Sequence, residues 1–132
     1  MTVTYVDARV LIAVVRGEAL IANRALGMLE GAGRTFVAST FLRLELLPKA
    51  LYHRNRSEAA FYRAFFSQVT AWADPANQVI ELAEHQAAQY GLNALDALHI
   101  AAATVLEVDE FVTTEGPQKP IHRVTDVTVI MV

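Results

Sequence analysis

An α/β fold, with a central parallel sheet of four to five strands flanked by helices, is predicted for this 132-residue chain. Three observations predict it. Short β-branched runs alternate with helix-compatible segments along the sequence, the pattern of a parallel sheet covered on both faces. Carboxylates stand where two of those runs end, at Asp7 and Glu115. No repeat, low-complexity tract or Gly/Ser/Pro-rich linker interrupts the chain, so residues 1–132 read as one domain.

The elements follow in order. Thr2 to Val6 is β-branched and aromatic and reads as a strand that ends at Asp7, before a helix-compatible run from Val10 to Val15. Between Glu18 and Glu30, Leu20, Ile21, Ala25, Met28 and Leu29 fall on one helix face, and Gly31 and Gly33 stop it. A short strand, Thr35 to Ala38, comes next. Ser39 and Thr40 are caps for a helix that carries Glu45 and should weaken near Pro48, whose ring removes an internal hydrogen bond. Ser57 caps a helix from Glu58 to Trp72, with Asp74-Pro75 as the break. Val79, Ile80 and Leu82 make either a minor strand or the lead into a helix that Gly91 terminates in a left-handed conformation. Asn93 caps a long apolar helix from Ala94 to about Glu107, with Asp96 in its first turn. Glu110 to Thr114 reads as a strand, and Asp126 to Val132 as the last one.

Composition narrows the function. The chain is 54% hydrophobic, yet no apolar run reaches the roughly 18 to 20 residues a membrane-spanning helix needs. Asp7 and Arg9 break the N-terminal apolar run, so it does not read as a targeting segment, and a cytoplasmic location is expected. With no cysteine, disulfides, thiolate metal sites and a cysteine nucleophile are all excluded. A net charge of −3 argues against a strongly basic nucleic-acid-binding module. The charge is uneven, however: Arg43, Lys49, Arg54, Arg56 and Arg63 against Glu45 and Glu58 make residues 43–63 locally +3.

Ligands of open α/β sheets bind beyond the carboxyl ends of the strands. Asp7 and Glu115 follow strands directly, Glu45 lies about a turn and a half into the helix after the second strand, and Asp96 opens the long apolar helix. Four hard oxygen donors without thiolate suit Mg²⁺ or Mn²⁺. Each acid also has a plain structural use. Asp7 can cap a helix, Asp96 can complement a helix dipole and Glu115 can be a turn residue, whereas Glu45 among leucines needs a partner or a metal.

Four segments carry a resemblance. Tyr5 to Ile12 (YVDARVLI), Ser39 to Leu47 (STFLRLELL), Leu95 to Ala102 (LDALHIAA) and Phe111 to Glu115 (FVTTE) resemble the successive motifs of the PIN-domain family, its VapC-like toxins in particular. The resemblance spans Thr2 to Val132, and its most specific part is Leu95 to Ala102. It implies a Mg²⁺- or Mn²⁺-dependent ribonuclease acting on single-stranded or structured RNA, a homodimer, and a small antitoxin that inserts near the acids. Asp7, Glu45 and Asp96 match the family's metal-binding acids. Glu115 stands where the family usually has Asp, and Arg9 where it has a small hydroxyl or amide residue. A guanidinium there can pair with Glu115 or Asp7 in place of the cation. The alternative is therefore a degenerate PIN domain that binds RNA or a protein partner without cutting. A receiver-like signalling domain fits less well, because no acidic pair stands at Asp7.

Other residues complete the candidate list. His99, on the same helix face as Asp96, reads as a hydrogen-bonded structural histidine rather than a ligand. Of Thr113 and Thr114, the latter is assigned the functional role by its adjacency to Glu115. Arg43, Lys49, Arg54 and Arg56, with Tyr52, His53 and Tyr62 nearby, mix cationic and aromatic groups as single-strand RNA binders do.

Overall fold

The computed structural model describes residues 1–74 and 76–132. Four strands, β1 (Thr2–Val6), β2 (Arg34–Val37), β3 (Glu110–Thr113) and β4 (Val129–Met131), pair in parallel in the order β2-β1-β3-β4 among the described residues. The helices are α1 (Ala8–Arg16), α2 (Ala19–Glu30), α3 (Thr40–Tyr52), α4 (Arg56–Ser67), α5 (Ala76–Tyr90) and α6 (Ala94–Val105), with a 3-10 turn at Pro120–Arg123.

Strand alternation divides the core in two. Tyr5 and Phe111 are register partners and bury on one face with Val79, Ala83, Ile100 and Ile121 from the α5–α6 side. Val6 and Val112, also partners, bury on the other with Leu11, Met28, Leu42 and Tyr62 from α1 to α4. Both central strands are therefore covered on both faces, as their continuous apolar runs require. Each large side chain fully buried this way contributes roughly 1.5–3 kcal/mol. Among the described residues, no helix is long and apolar enough to cross a membrane.

Several element boundaries differ from the expected ones. Asn55, not Ser57, caps α4: its side-chain oxygen accepts the Glu58 N–H at 3.1 Å, while Ser57 lies inside the first turn. The helix ends at Ser67 rather than Trp72 because the following segment pairs with the end of β2, where Thr70 donates to the Phe36 carbonyl and Ala38 to that of Ala71. Pro48 sits inside α3 without ending it. The bond it cannot make would go to the carbonyl of Leu44, whose residue lies on the exposed side of the helix.

Val79, Ile80 and Leu82 belong to α5 and not to a strand, since Val79, Ala83, Gln86 and Tyr90 are buried at helical spacing. That helix ends at Gly91, whose φ of +71° is the left-handed terminator expected from the sequence. Pro75, the second half of the expected Asp74-Pro75 break, lies outside the described residues. The last strand is shorter than Asp126 to Val132, because Asp126 turns to accept hydrogen bonds from Gln86 and the Tyr90 hydroxyl, both at 3.0 Å.

Candidate functional site

The order in which the parallel strands are added reverses between β1 and β3: the route from β1 leads to β2 on one side, and that from β3 leads to β4 on the other. A crevice must open beyond the carboxyl ends of those two strands. Asp7 follows β1 with no intervening residue and is the N-cap of α1. Its Oδ1 accepts the Arg9 backbone N–H at 2.6 Å, and its Oδ2 accepts the Thr113 hydroxyl at 2.7 Å. Asp7 is buried, so these donors replace the water it has lost.

Asp96 enters the crevice from the first turn of α6. Asn93, the cap of that helix, accepts the Asp96 N–H at 2.8 Å and donates its amide to Asp96 Oδ2 at 3.1 Å, so one oxygen of the carboxylate is fixed and the other faces inward. Glu115 arrives from the segment after β3, where its N–H donates to the Thr113 hydroxyl at 3.1 Å. Thr113 thus ties two of the acids to one hydroxyl.

Arg9 lies between the three carboxylates. Its Nη1 is 3.1 Å from Asp7 Oδ2 and 3.1 Å from Asp96 Oδ1, and its Nε is 2.9 Å from Glu115 Oε1. Burial of the guanidinium works against its charge, but Asp7, Asp96 and Glu115 together outweigh that and hold its pKa above the ordinary arginine value.

Glu45 does not join this cluster. Its Oε1 is 2.7 Å from His99 Nε2, and His99 Nδ1 is 2.8 Å from the Tyr5 hydroxyl, which is 2.7 Å from Ser39 Oγ. A carboxylate only accepts, so Nε2 carries a proton. One consistent run of donors then goes from Ser39 through Tyr5 to His99 Nδ1, with Nε2–H donating to Glu45. Burial pushes the Tyr5 hydroxyl well above its usual pKa, and the charges of Asp7 and Glu45 add to this against the Ser39 hydrogen bond, so Tyr5 stays protonated. His99 is buried and hydrogen-bonded on both ring nitrogens, in keeping with its reading as a structural histidine.

The remaining candidates spread wider. Thr114 is half-buried beside Glu115, but the hydroxyl that touches the acids is that of Thr113. The strand register held the signal: Tyr5-Val6-Asp7 set against Phe111-Val112-Thr113 brings Thr113 level with Asp7. Arg43 is exposed and stacks its guanidinium over Phe66 at 5.5 Å. Lys49 is exposed on α3, and Arg54 and Arg56 line a cleft of about 620 Å³ at the α3–α4 turn together with Arg63. Tyr62, grouped above with the RNA-facing aromatics, is instead buried and donates to Glu58 at 2.6 Å, while Tyr52 is exposed.

Among the described residues, no three Asp, Glu or His side chains stand close enough together to hold a metal ion as they are. Guanidinium contacts near 3 Å keep the acid oxygens farther apart than metal contacts of roughly 2.1 Å would. The donor set nevertheless fits a hard divalent cation in kind, because three carboxylates converge on one positive group that stands in for it.

Comparisons with known proteins agree with this fold. A family model described as PIN domain matches residues 4–116. No curated protein matches the chain in sequence. Among solved structures, a toxin–antitoxin complex from Klebsiella pneumoniae is similar with a TM-score of 0.73 at 18% identity, covering 97% of this chain and 96% of that one. VapBC2 from Rickettsia felis, bound to a DNA fragment from its promoter, gives 0.70 at 15% identity over 98% of each chain. DNA-bound VapBC from Salmonella typhimurium gives 0.69 at 14% identity, covering 99% of this chain and 98% of that one. At such identities the likeness establishes the fold.

Proposed function

The chain belongs to the PIN-domain family, and on that premise we propose that it is a Mg²⁺- or Mn²⁺-dependent endoribonuclease that hydrolyses phosphodiester bonds of single-stranded RNA, as the cytoplasmic toxin of a toxin–antitoxin pair. The observation that carries this reading is the meeting of Asp7, Asp96 and Glu115 around one cation where the strand order of the sheet reverses. The antitoxin rests on the likeness to toxin–antitoxin complexes of the same fold.

In this reading Asp7, Asp96 and Glu115 would hold the ion, and Glu45, paired with His99 outside their cluster, would bind it directly or orient a water. The bound ion supplies the Lewis acidity that makes water a nucleophile at neutral pH and offsets charge on the phosphate. The protein's own groups do the positioning. Thr113 and the Arg9 N–H aim the Asp7 carboxylate, Asn93 aims Asp96, and His99 fixes one oxygen of Glu45. Arg43, Lys49, Arg54 and Arg56 offer phosphate contacts along α3 and the turn after it, a sequence-independent term that salt weakens.

Arg9 favours a second reading, a PIN domain that binds RNA or a protein partner without cutting, since a guanidinium already neutralises the acids. Protein purified free of any antitoxin separates the two. Cleavage of single-stranded RNA that Mn²⁺ stimulates and EDTA abolishes is the expected result. Varied RNAs left intact with both Mg²⁺ and Mn²⁺ present would reject the nuclease and leave the binding domain.

A homodimer is part of the proposal. Phe41, Leu44, Leu51, Ile80, Leu95 and Leu98 form an apolar face across α3, α5 and α6, with Leu44 69% exposed. Faces of this kind on small domains mark association sites. Light scattering is expected to give twice the 14.5 kDa chain mass at micromolar concentration, and Leu44→Glu to give the monomer, because a charge buried at the interface lacks a partner. Wild-type protein at the monomer mass would rule the dimer out.

A further inference from the structure

Every hydrogen bond that fixes the acids from behind leaves a free face toward the same point, and Arg9 fills it. Asp7 Oδ1 is taken by the Arg9 backbone and Oδ2 partly by Thr113, while Asp96 Oδ2 is taken by Asn93. The remaining inward positions on Asp7 Oδ2, Asp96 Oδ1 and Glu115 Oε1 are the ones that the Arg9 side chain contacts. Three acids and one guanidinium leave the cluster short of positive charge, so it still attracts a dication. An ion that needs oxygen contacts of roughly 2.1 Å competes for the same lone pairs.

Arg9 is able to leave. Its side chain is 38% exposed, in contrast to 2% for Asp7, and it projects from the first turn of α1. Rotation into solvent would return its charge to water, where a guanidinium is well hydrated, without disturbing the helix. Its backbone N–H would keep donating to the capping carboxylate of Asp7, which would hold its orientation with or without the Arg9 side chain.

We propose that Arg9 is a built-in exchangeable counter-ion: it holds the acid cluster together in the metal-free protein, and a divalent cation enters by displacing it. Metal affinity is thereby set by a residue that is not itself a ligand. The inference rests on the acid cluster being the metal site, and its test reads metal binding and stability rather than RNA cleavage.

Calorimetric titration with Mn²⁺ compares wild type, Arg9→Ser and Arg9→Lys, alongside melting curves in EDTA. Removing a positive charge from within a few ångströms of a dication is expected to tighten Mn²⁺ binding of Arg9→Ser by at least about tenfold. The same variant should melt lower in EDTA and recover with Mn²⁺, since its carboxylates repel one another until an ion arrives. Arg9→Lys keeps the charge without the planar fork and should fall between, and it carries the comparison if Arg9→Ser does not fold.

In wild type, the Arg9 guanidinium resonances should shift as Mg²⁺ saturates the site, because the Nη1 hydrogen bonds to Asp7 and Asp96 are lost. Equal or weaker Mn²⁺ affinity in both variants overturns the proposal, as does an Arg9 resonance unmoved at saturation. Absence of Mn²⁺ binding to all three proteins overturns it together with the metal-dependent nuclease. Equal binding to all three overturns it alone.

Discussion

Asp7→Asn is expected to lower RNA cleavage by at least about a hundredfold while changing stability by less than about 1 kcal/mol. The activity estimate follows from rank: losing a residue that merely supports a metal ligand costs about 10- to 100-fold, so neutralising a ligand should reach at least the upper end. The stability estimate follows from the dual role of Asp7, which caps α1 and accepts the Thr113 hydroxyl. Asparagine caps a helix about as well as aspartate, with its oxygen on the Arg9 N–H, and its amide nitrogen in place of Oδ2 can donate to the Thr113 hydroxyl oxygen. It also relieves repulsion among the acids that Arg9 alone offsets. Asp7→Ala is the informative contrast. It abolishes the cap and leaves the buried Thr113 hydroxyl without its acceptor, so it should lose about 1–3 kcal/mol as well as activity. Cleavage rates and melting curves on both variants test the split, and Asp7→Asn protein that retains activity within tenfold of wild type would remove Asp7 from the catalytic set.

Phe111→Ala is expected to cost about 3–5 kcal/mol, a large part of the roughly 5–15 kcal/mol that stabilises a typical domain. The ring is fully buried and stacks on Tyr5, with centroids 5.5 Å apart and planes 10° from parallel. Strands on either side and α6 beneath leave little room for collapse, so most of the cavity should persist. Urea unfolding measures the effect as a drop in midpoint at unchanged slope. A loss under about 1 kcal/mol would mean that the α5–α6 core relaxes freely around the gap. Because Tyr5 also holds His99, and His99 holds Glu45, slower cleavage is expected even in the fraction that stays folded.

The sheet was legible because its strands are short, β-branched and bounded by acids or glycines, and because Asn93 and Ser39 are strong caps at the positions they occupy. Limits of the elements were less legible where tertiary pairing decides them. Nothing local marks residues 68–73 as leaving a helix, since what draws them out is the free end of β2. In the site, Asp7, Asp96 and Glu115 could be gathered from their places at strand and helix ends, and the pairing of Arg9 with them follows from its spacing to Asp7. Glu45 was marked by its apolar surroundings as needing a partner. That the partner is His99, 54 positions away, depends on how α3 and α6 cross. Thr113 was passed over for Thr114 because adjacency in sequence outweighed register.

A single residue separates β1 from α1, and two separate β2 from α3. There is no slack at the rim of the sheet, so the placement of the acids is indexed to the strands residue by residue. One amino acid inserted after Val6 would turn α1 by about 100° relative to the strand and carry Arg9 away from the cluster. The turns that enter the strands at the opposite rim, such as residues 31–33 between α2 and β2, carry none of these acids. Evolutionary drift in this protein should accordingly accumulate as insertions and deletions there, while the β1–α1 junction admits substitution only.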